Sequence, residues 1–307
     1  MKMRKNMAYA GCTVLLWATT APAVKVLVKS LPNMEVLALS SALAFVFLLL
    51  KNLCTGAFRR AKAYRLRDYG KMAGLGFLGL FLYSALYYYG LSQLSSQEAC
   101  ILNYLWPLMI VLFSCLLLRE KLTVKKLLAM AFSFLGIVIL TMGGEAASGT
   151  NRPAGMLCCI IAAACYGLFS VLNKKSGYDQ NIAMPVIWLV TAAGACALGL
   201  PTEHWVPLTG VQWAGMLWLG IVVNAVAYLL WALALQGTEN TAFVANMAYL
   251  TPFLSVLLSA VFLHEKIKGT AIVALVCIVG GILLQNLPGR KNKNKNEAAR
   301  EKPASDL

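Results

Sequence analysis

The chain has 307 residues, of which 60% are hydrophobic and only 13% are charged, and its mean hydropathy is +0.70. Soluble domains contain about 25% charged residues, so the composition argues against a water-soluble globular protein. The formal net charge of +15 would suit nucleic-acid binding, but the basic residues lie between apolar runs, which instead indicates a membrane topology and no nucleic-acid partner.

Apolar runs recur along the chain at about 20 residues each, the length that crosses the roughly 30 Å hydrocarbon core of a bilayer. Runs such as 271–284 are continuously apolar, whereas the strands of a membrane β-barrel alternate. We therefore predict an all-α integral membrane protein with ten transmembrane helices. The predicted helices cover residues 7–28, 34–50, 70–91, 97–118, 125–142, 154–173, 182–200, 211–233, 242–263 and 269–287.

The first predicted helix has a basic start and contains Ala21-Pro22-Ala23, a combination that is also typical of a cleaved signal peptide. We favour a retained helix, because it has a counterpart in the second half of the chain. With a cytoplasmic N-terminus, 22 of the 27 Lys and Arg residues are cytoplasmic and five are external, as the positive-inside rule requires. We predict a multi-pass protein of the plasma (inner) membrane with both termini cytoplasmic, ending in a disordered basic tail, 288–307.

The third predicted helix has glycines and tyrosines at steps of three and four residues, which places them on one helix face. Tyr83 and Tyr87 lie in the middle of this helix, a position that favours the wall of a cavity. The alternative is a tight helix contact with interfacial tyrosines.

Glu98 is the only carboxylate that we expect inside a span, near the outer start of the fourth predicted helix. It is a candidate for energy coupling by protonation. The alternatives are stabilisation of the helix N-terminus and contact with a ligand ammonium group.

The chain contains an internal repeat. Residues 103–121, NYLWPLMIVLFSCLLLREK, match residues 248–266, AYLTPFLSVLLSAVFLHEK, at an offset of 145. The first helices of the two halves match less closely at an offset of 149, which pairs Trp17 with Tyr166. Because five helices cross the membrane an odd number of times, we predict two inverted five-helix repeats, 7–142 and 154–287.

The repeat pairs Pro107 with Pro252, inside the fourth and ninth predicted helices. An interior proline frees a backbone carbonyl, which is tolerated against protein or a wet cavity. Matched prolines in inverted halves indicate a binding site at the membrane midplane, and a simple packing kink is the alternative. Intramembrane amides and tyrosines add uncharged polar groups to this candidate cavity: Asn103, Tyr104, Tyr166, Asn224, Tyr228, Asn246 and Tyr249. The alternative for each asparagine is a hydrogen bond that only joins two helices.

Five-helix repeats with a Pro-centred fourth helix, a Glu-Lys corner and a glycine-rich fifth helix resemble the EamA-type domain of the drug/metabolite transporter superfamily. The resemblance covers residues 7–287, and residues 103–107, Asn-Tyr-Leu-Trp-Pro, are similar to the helix-four signature of the YddG-type amino-acid exporters. It implies a ten-helix monomer whose central cavity has an aromatic wall including Trp106. Thr251 stands where the first half has Trp106, which implies an asymmetric cavity.

We predict a transporter that exports small neutral or zwitterionic metabolites, aromatic amino acids above all, by alternating access. The alternatives are a multidrug or quaternary-cation transporter, a nucleotide-sugar or sugar-phosphate transporter, and a non-transporting membrane scaffold. No catalytic constellation occurs in the spans, so we predict neither an enzyme nor a metal or cofactor site. The expected partners are a small-molecule substrate and the lipid bilayer, with a homo-oligomer as the alternative to a monomer.

Overall fold

The computed structural model describes residues 2–20, 23, 27, 30–94, 96–141, 151–263 and 269–286. The predicted basic tail, 288–307, therefore lies outside the described residues, as do Pro22 of the signal-like sequence and the Glu265-Lys266 end of the repeat. Those predictions are left untested by the fold.

The described residues form helices joined by turns and short loops, without a β-strand among them. The helices are α1 Lys2–Ala18, α2 Asn33–Cys54, α3 Leu66–Gln93, α4 Ser96–Asn103, α5 Trp106–Leu118, α6 Val124–Thr141, α7 Arg152–Ser176, α8 Gln180–Thr202, α9 Gly210–Gly237, α10 Thr241–Met247, α11 Leu250–Leu263 and α12 Gly269–Asn286. A 3-10 helix, Ala57–Ala63, lies between α2 and α3. The predicted all-α class is thus confirmed.

Six segments of the described chain are long and apolar enough to cross a membrane: α2, α3, α7, α8, α9 and Ile101–Leu118, which joins the end of α4 to α5. Shorter apolar helices occur over Thr241–Leu254 and Ile272–Leu284. The structure therefore has the composition of a multi-span protein, and the count of ten crossings stays a prediction.

The fourth and ninth helices predicted from the sequence are each divided in two by a tight turn. The turn between α4 and α5 is closed by the Leu105 N–H, which donates to the Leu102 carbonyl at 3.2 Å. The turn between α10 and α11 is closed in the same way, by the Tyr249 N–H and the Asn246 carbonyl at 3.2 Å. The repeat's matched prolines follow both turns, and a proline ring clashes with the carbonyl that a preceding α-helical turn would present.

The long helices α3 and α9 each contain a π-helix in their middle, at Phe77–Leu82 and Trp218–Ala227. Glycines in both segments permit close approach to a neighbouring helix. A Cβ on Gly79 would lie 2.0 Å from the Phe169 ring of α7, and one on Gly220 would lie 2.7 Å from Leu43 Cβ of α2. The wide helices therefore pack tightly in spite of their larger radius.

The helix contacts of the first half recur in the second half. Helix α2 packs against α8, α6 against α12, and α5 against α10. Helix α3 packs against α7 and α8, while α9 packs against α1 and α2. Helix α5 also contacts α7, while α11 contacts α1. This arrangement brings the ends of α1, α4 and α5 and the middles of α3, α7 and α9 to the centre of the molecule.

Candidate functional site

A cavity of about 180 Å³ lies at this centre. Among the described residues that line the cavity none is charged, and more than half are aromatic: Trp17, Thr20, Tyr83, Asn103, Tyr104, Trp106, Tyr166, Val223, Asn224, Tyr228 and Thr251. Pockets for drug-sized ligands usually measure about 300–1,000 Å³, so this one suits a smaller molecule.

The aromatic residues around the cavity form one network of ring contacts. The Trp106 ring meets the Tyr166 ring edge to face, with centroids 5.0 Å apart, and Trp17 meets Tyr228 at 5.0 Å. A third contact, between Trp17 and Trp106 at 6.0 Å, joins the two pairs. Tyr83 adds to the network through Tyr166, at 5.2 Å. Each such pair contributes about 0.5–1.5 kcal/mol beyond burial, so the walls are held in place before any ligand binds.

The buried polar atoms of the lining that make no hydrogen bond to a described residue include Trp17 Nε1, Asn103 Oδ1 and Thr251 Oγ1. A buried polar group without a partner costs about 1–3 kcal/mol. The indole N–H donates, the amide oxygen accepts, and the hydroxyl does both. A molecule in the cavity with both donors and acceptors would therefore satisfy all three groups.

The structure brings together seven of the twelve residues predicted for the cavity. These are Tyr83, Asn103, Tyr104, Trp106, Tyr166, Asn224 and Tyr228. They come from both predicted halves of the chain, as a site at a repeat interface requires. Their contact with a substrate stays a prediction.

The other five predicted residues do not line this cavity. Tyr87 stacks on Tyr83 with ring centroids 6.1 Å apart and lies one turn farther along α3. Tyr249 is fully buried, and its ring lies 6.3 Å from that of Phe134 in α6. Three more are buried at the two tight turns: Pro107, Asn246 and Pro252. The prolines therefore shape the lining through the backbone.

Trp17, Thr20, Val223 and Thr251 line the cavity but were missed by the sequence prediction. The repeat alignment carried a signal for two of them. Trp17 is the counterpart of Tyr166, and Thr251 is the counterpart of Trp106. Each of the two therefore lines the cavity together with its repeat counterpart. No comparable signal singled out Thr20 or Val223.

The side chain of Glu98 lies outside the described part of the structure, so its proposed role in coupling is untested. Another carboxylate is buried at the start of a candidate span. Glu35, in the first turn of α2, is 2% exposed and accepts a hydrogen bond from the Val206 N–H at 3.2 Å.

One end of the cavity is closed. Beyond Tyr166 and Tyr228 the described residues enclose a narrow void of about 10 Å³, whose lining extends to Asn173 and Lys174. A volume of about 10–15 Å³ is needed for a single water molecule. A small metabolite therefore cannot pass in this direction without movement of the helices.

An ion pair lies at the closed end of the cavity, and we call this ion pair the Glu120–Lys174 clamp. The Lys174 ammonium lies 2.9 Å from Glu120 Oε1, and the two side chains are only 12% and 13% exposed. The ammonium also donates to the Thr238 carbonyl at 2.8 Å and to the Thr241 hydroxyl oxygen at 2.5 Å. The Thr241 N–H donates to the second Glu120 oxygen at 3.3 Å. The clamp thus connects the ends of α5, α7 and α9 to the start of α10.

A bundle of membrane-length helices around a small uncharged cavity that is closed at one end defines a membrane transporter. The sequence agrees with this class, because the profile of the EamA-like transporter family matches residues 5–142 and 153–287. The chain therefore belongs to the EamA-like transporter family. Membership confirms the resemblance to EamA-type domains and the prediction that the protein is not an enzyme.

Several relatives match almost the full length of the chain. The aromatic amino acid exporter YddG of Ancylobacter novellus is 28% identical over 292 residues, 94% of this chain and 99% of the relative. A probable terminal-alkyne amino-acid exporter of Streptantibioticus cattleyicolor is 23% identical, covering 93% and 95% of the two chains. A solved crystal structure aligns with a TM-score of 0.82 at 25% identity, covering 92% of this chain and 96% of the other. The protein is thus a multi-span membrane transporter whose partners are a small-molecule substrate and membrane lipid.

Proposed function

We propose that this transporter exports small neutral or zwitterionic metabolites, and aromatic amino acids in particular, across the plasma membrane by alternating access. The observation that carries the proposal is the uncharged aromatic cavity of about 180 Å³ at the centre of the bundle. A zwitterion has a compact polar part that the unpaired amide, hydroxyl and indole groups fit, and an apolar part that rings would cover. The printed names of two relatives, both amino-acid exporters, support this class of substrate.

Other substrates of the superfamily fit the cavity less well. A phosphorylated sugar or nucleotide sugar carries a charge whose burial is costly unless a cation pairs with it, and the described lining has no Lys or Arg. A quaternary cation fits better, because aromatic faces attract cations. The described lining offers it no carboxylate, however, so we rank it second.

The proposal includes the architecture that alternating access needs. The two inverted repeats over 7–142 and 154–287 are supported by the helix contacts that recur between the halves. Ten crossings with both termini cytoplasmic complete the proposed architecture, and the distribution of basic residues supports that orientation. Tight turns before the matched prolines and π-helices in α3 and α9 occur at corresponding places in both halves. Such pseudo-symmetry lets two similar halves exchange conformations and expose one site to each side in turn.

Counterflow in proteoliposomes tests the substrate. Liposomes containing the purified protein are loaded with one unlabelled compound, and the entry of its labelled form is followed. We expect stimulated entry of tryptophan and phenylalanine, weaker entry of alanine, and none of glutamate or a sugar phosphate. Counterflow of a quaternary ammonium compound alone would show that the substrate is a quaternary cation, the second candidate. Counterflow of sugar phosphates alone would refute the proposal. Efflux from preloaded cells that produce the protein then tests the direction.

A further inference from the structure

We infer that Thr251 is the residue that sets which substrates the cavity admits: its small side chain leaves room for a large substrate group, and its hydroxyl binds the substrate's polar part. This inference rests on the proposed function and goes beyond it by assigning specificity to one position. Thr251 was not among the residues that the sequence predicted for the cavity.

The two halves of the protein present very different side chains at equivalent points of the cavity. Trp106 and Thr251 correspond in the repeat, follow the same kind of turn and both line the cavity. The indole of Trp106 reaches across to rings of α1, α7 and α9, at centroid distances of 5.0 to 6.0 Å. A second indole at position 251 would occupy much of the same 180 Å³. The space available to a substrate therefore depends on the small side chain of Thr251.

The backbone of Thr251 is held in place, so a small backbone shift would not make room for a larger side chain. Its N–H donates to the Ala248 carbonyl at 3.0 Å in the turn between α10 and α11, and Pro252 follows directly. Position 251 is 7% exposed, and the neighbouring Tyr249 is fully buried. A larger side chain at 251 would therefore extend into the cavity.

The hydroxyl of Thr251 is a second, independent indication. The buried hydroxyl of Thr191, by comparison, donates to the Ile187 carbonyl of its own helix at 2.9 Å. Thr251 Oγ1 is buried but makes no hydrogen bond to a described residue. Asn103 also lines the cavity, and its Oδ1 likewise makes no hydrogen bond to a described residue. The hydroxyl is therefore placed to bind a group that enters the cavity.

Two substitutions separate size from hydrogen bonding. Thr251→Val keeps the shape and removes the hydroxyl, whereas Thr251→Leu fills the cavity. Thr191→Val is the matched control, because it removes a buried threonine hydroxyl away from the cavity. Each purified variant is measured for counterflow and, independently, for the rise in unfolding temperature caused by tryptophan or by alanine, since a ligand that binds the native state stabilises it.

For Thr251→Val we expect weaker binding of both amino acids by about two- to tenfold, the loss expected for one hydrogen bond. For Thr251→Leu we expect tryptophan to lose its stabilisation and its counterflow while alanine keeps both to within about threefold, as a size limit requires. Thr191→Val should leave both affinities unchanged. Equal losses for tryptophan and alanine in Thr251→Leu would overturn the size limit, and wild-type affinities in Thr251→Val would overturn the role of the hydroxyl.

The two readouts separate this inference from the proposed function. If wild-type protein is stabilised by tryptophan and Thr251→Leu is not, while wild-type liposomes show no counterflow, the inference stands and transport of amino acids fails. If counterflow is normal in both wild type and Thr251→Leu, the inference fails and the function stands. If neither amino acid binds to or is carried by the wild type, both are refuted.

Discussion

The Trp106 indole makes three ring contacts in the cavity wall. Its indole meets Trp17 of α1 and Tyr166 of α7, and it also packs edge to face on Trp231 of α9 at 5.6 Å. It is 6% exposed, so the ring serves both the cavity and the packing of the bundle. A test of its role must therefore distinguish binding from folding.

Trp106→Ala should reduce transport of bulky neutral amino acids more than transport of small ones, at unchanged expression. One stacking contact contributes about 0.5–1.5 kcal/mol, so the loss for tryptophan should be about two- to tenfold. Counterflow of tryptophan and alanine measures the difference. Trp213→Ala, which removes an indole that is 44% exposed on α9, is the control. Equal losses for both amino acids would make Trp106 a packing residue only.

At the scale of helices, we predict that the Glu120–Lys174 clamp keeps its end of the cavity closed. The adjacent lysines at the end of α7 offer a matched pair of variants, because Lys174 is in the clamp and Lys175 is exposed. Lys174→Met leaves the Glu120 carboxylate without its cation, which costs about 1–3 kcal/mol or more in the closed state. The closed end should therefore open more often.

Labelling of a cysteine at position 170, in the lining of the narrow void, measures that opening. In Ser170→Cys protein, a thiol reagent should modify position 170 about tenfold faster when Lys174→Met is added, since about 1.4 kcal/mol corresponds to tenfold. Mass spectrometry of the peptide that contains position 170 distinguishes its modification from that of the native cysteines. Lys175→Met should leave the rate unchanged, and an equal rate in both variants would show that the clamp does not close the cavity.

The contact between α6 and α12 depends on a glycine. A Cβ on Gly281 would lie 2.5 Å from the Ala129 carbonyl oxygen, a backbone atom that cannot turn away. Gly281→Ala should therefore lower the free energy of unfolding by about 1–3 kcal/mol, the usual effect of overpacking. Gly74→Ala in α3 is the control with the opposite sign, because no atom lies within 4 Å and alanine stabilises a helix by about 0.5–1 kcal/mol. Thermal unfolding in detergent compares the two, and a stable Gly281→Ala protein would contradict the close contact.

For the whole molecule, the distribution of basic residues predicts the orientation. We expect an inside N-terminus, ten crossings and an inside C-terminus, because 22 of 27 Lys and Arg residues then lie in cytoplasmic segments. Reporter fusions at the C-terminus and in successive loops measure this directly. A reporter that is active outside the cell when fused to the C-terminus, or a mature protein that begins after Ala23, would contradict both the count and the inverted repeat.

The sequence was sufficient for the features that depend on local pattern or on internal similarity. Apolar runs predicted the helical class, and the resemblance to the EamA-type domain implied that Trp106 and Tyr166 line the cavity. The matched prolines indicated where the fourth and ninth helices are disturbed, although not the geometry of the tight turns. The π-helices were not predicted, because a hydrophobic period of 3.6 residues does not detect a local change of helical radius. The Glu120–Lys174 clamp could not be predicted from the sequence either, because residues 120 and 174 meet only through tertiary packing.

The π-helices give this protein a way to change its cavity that substitution does not offer. In α3 the π-segment ends just before Tyr83, and in α9 it contains Asn224 and ends just before Tyr228. An α-helix turns about 100° per residue, so deleting one residue upstream would rotate every later side chain by about that angle. A deletion that follows Gly79 or Gly220 would leave that glycine in its packing contact and turn the later cavity residues to another side. A single-codon insertion or deletion could thus exchange a whole wall of the cavity in one evolutionary step.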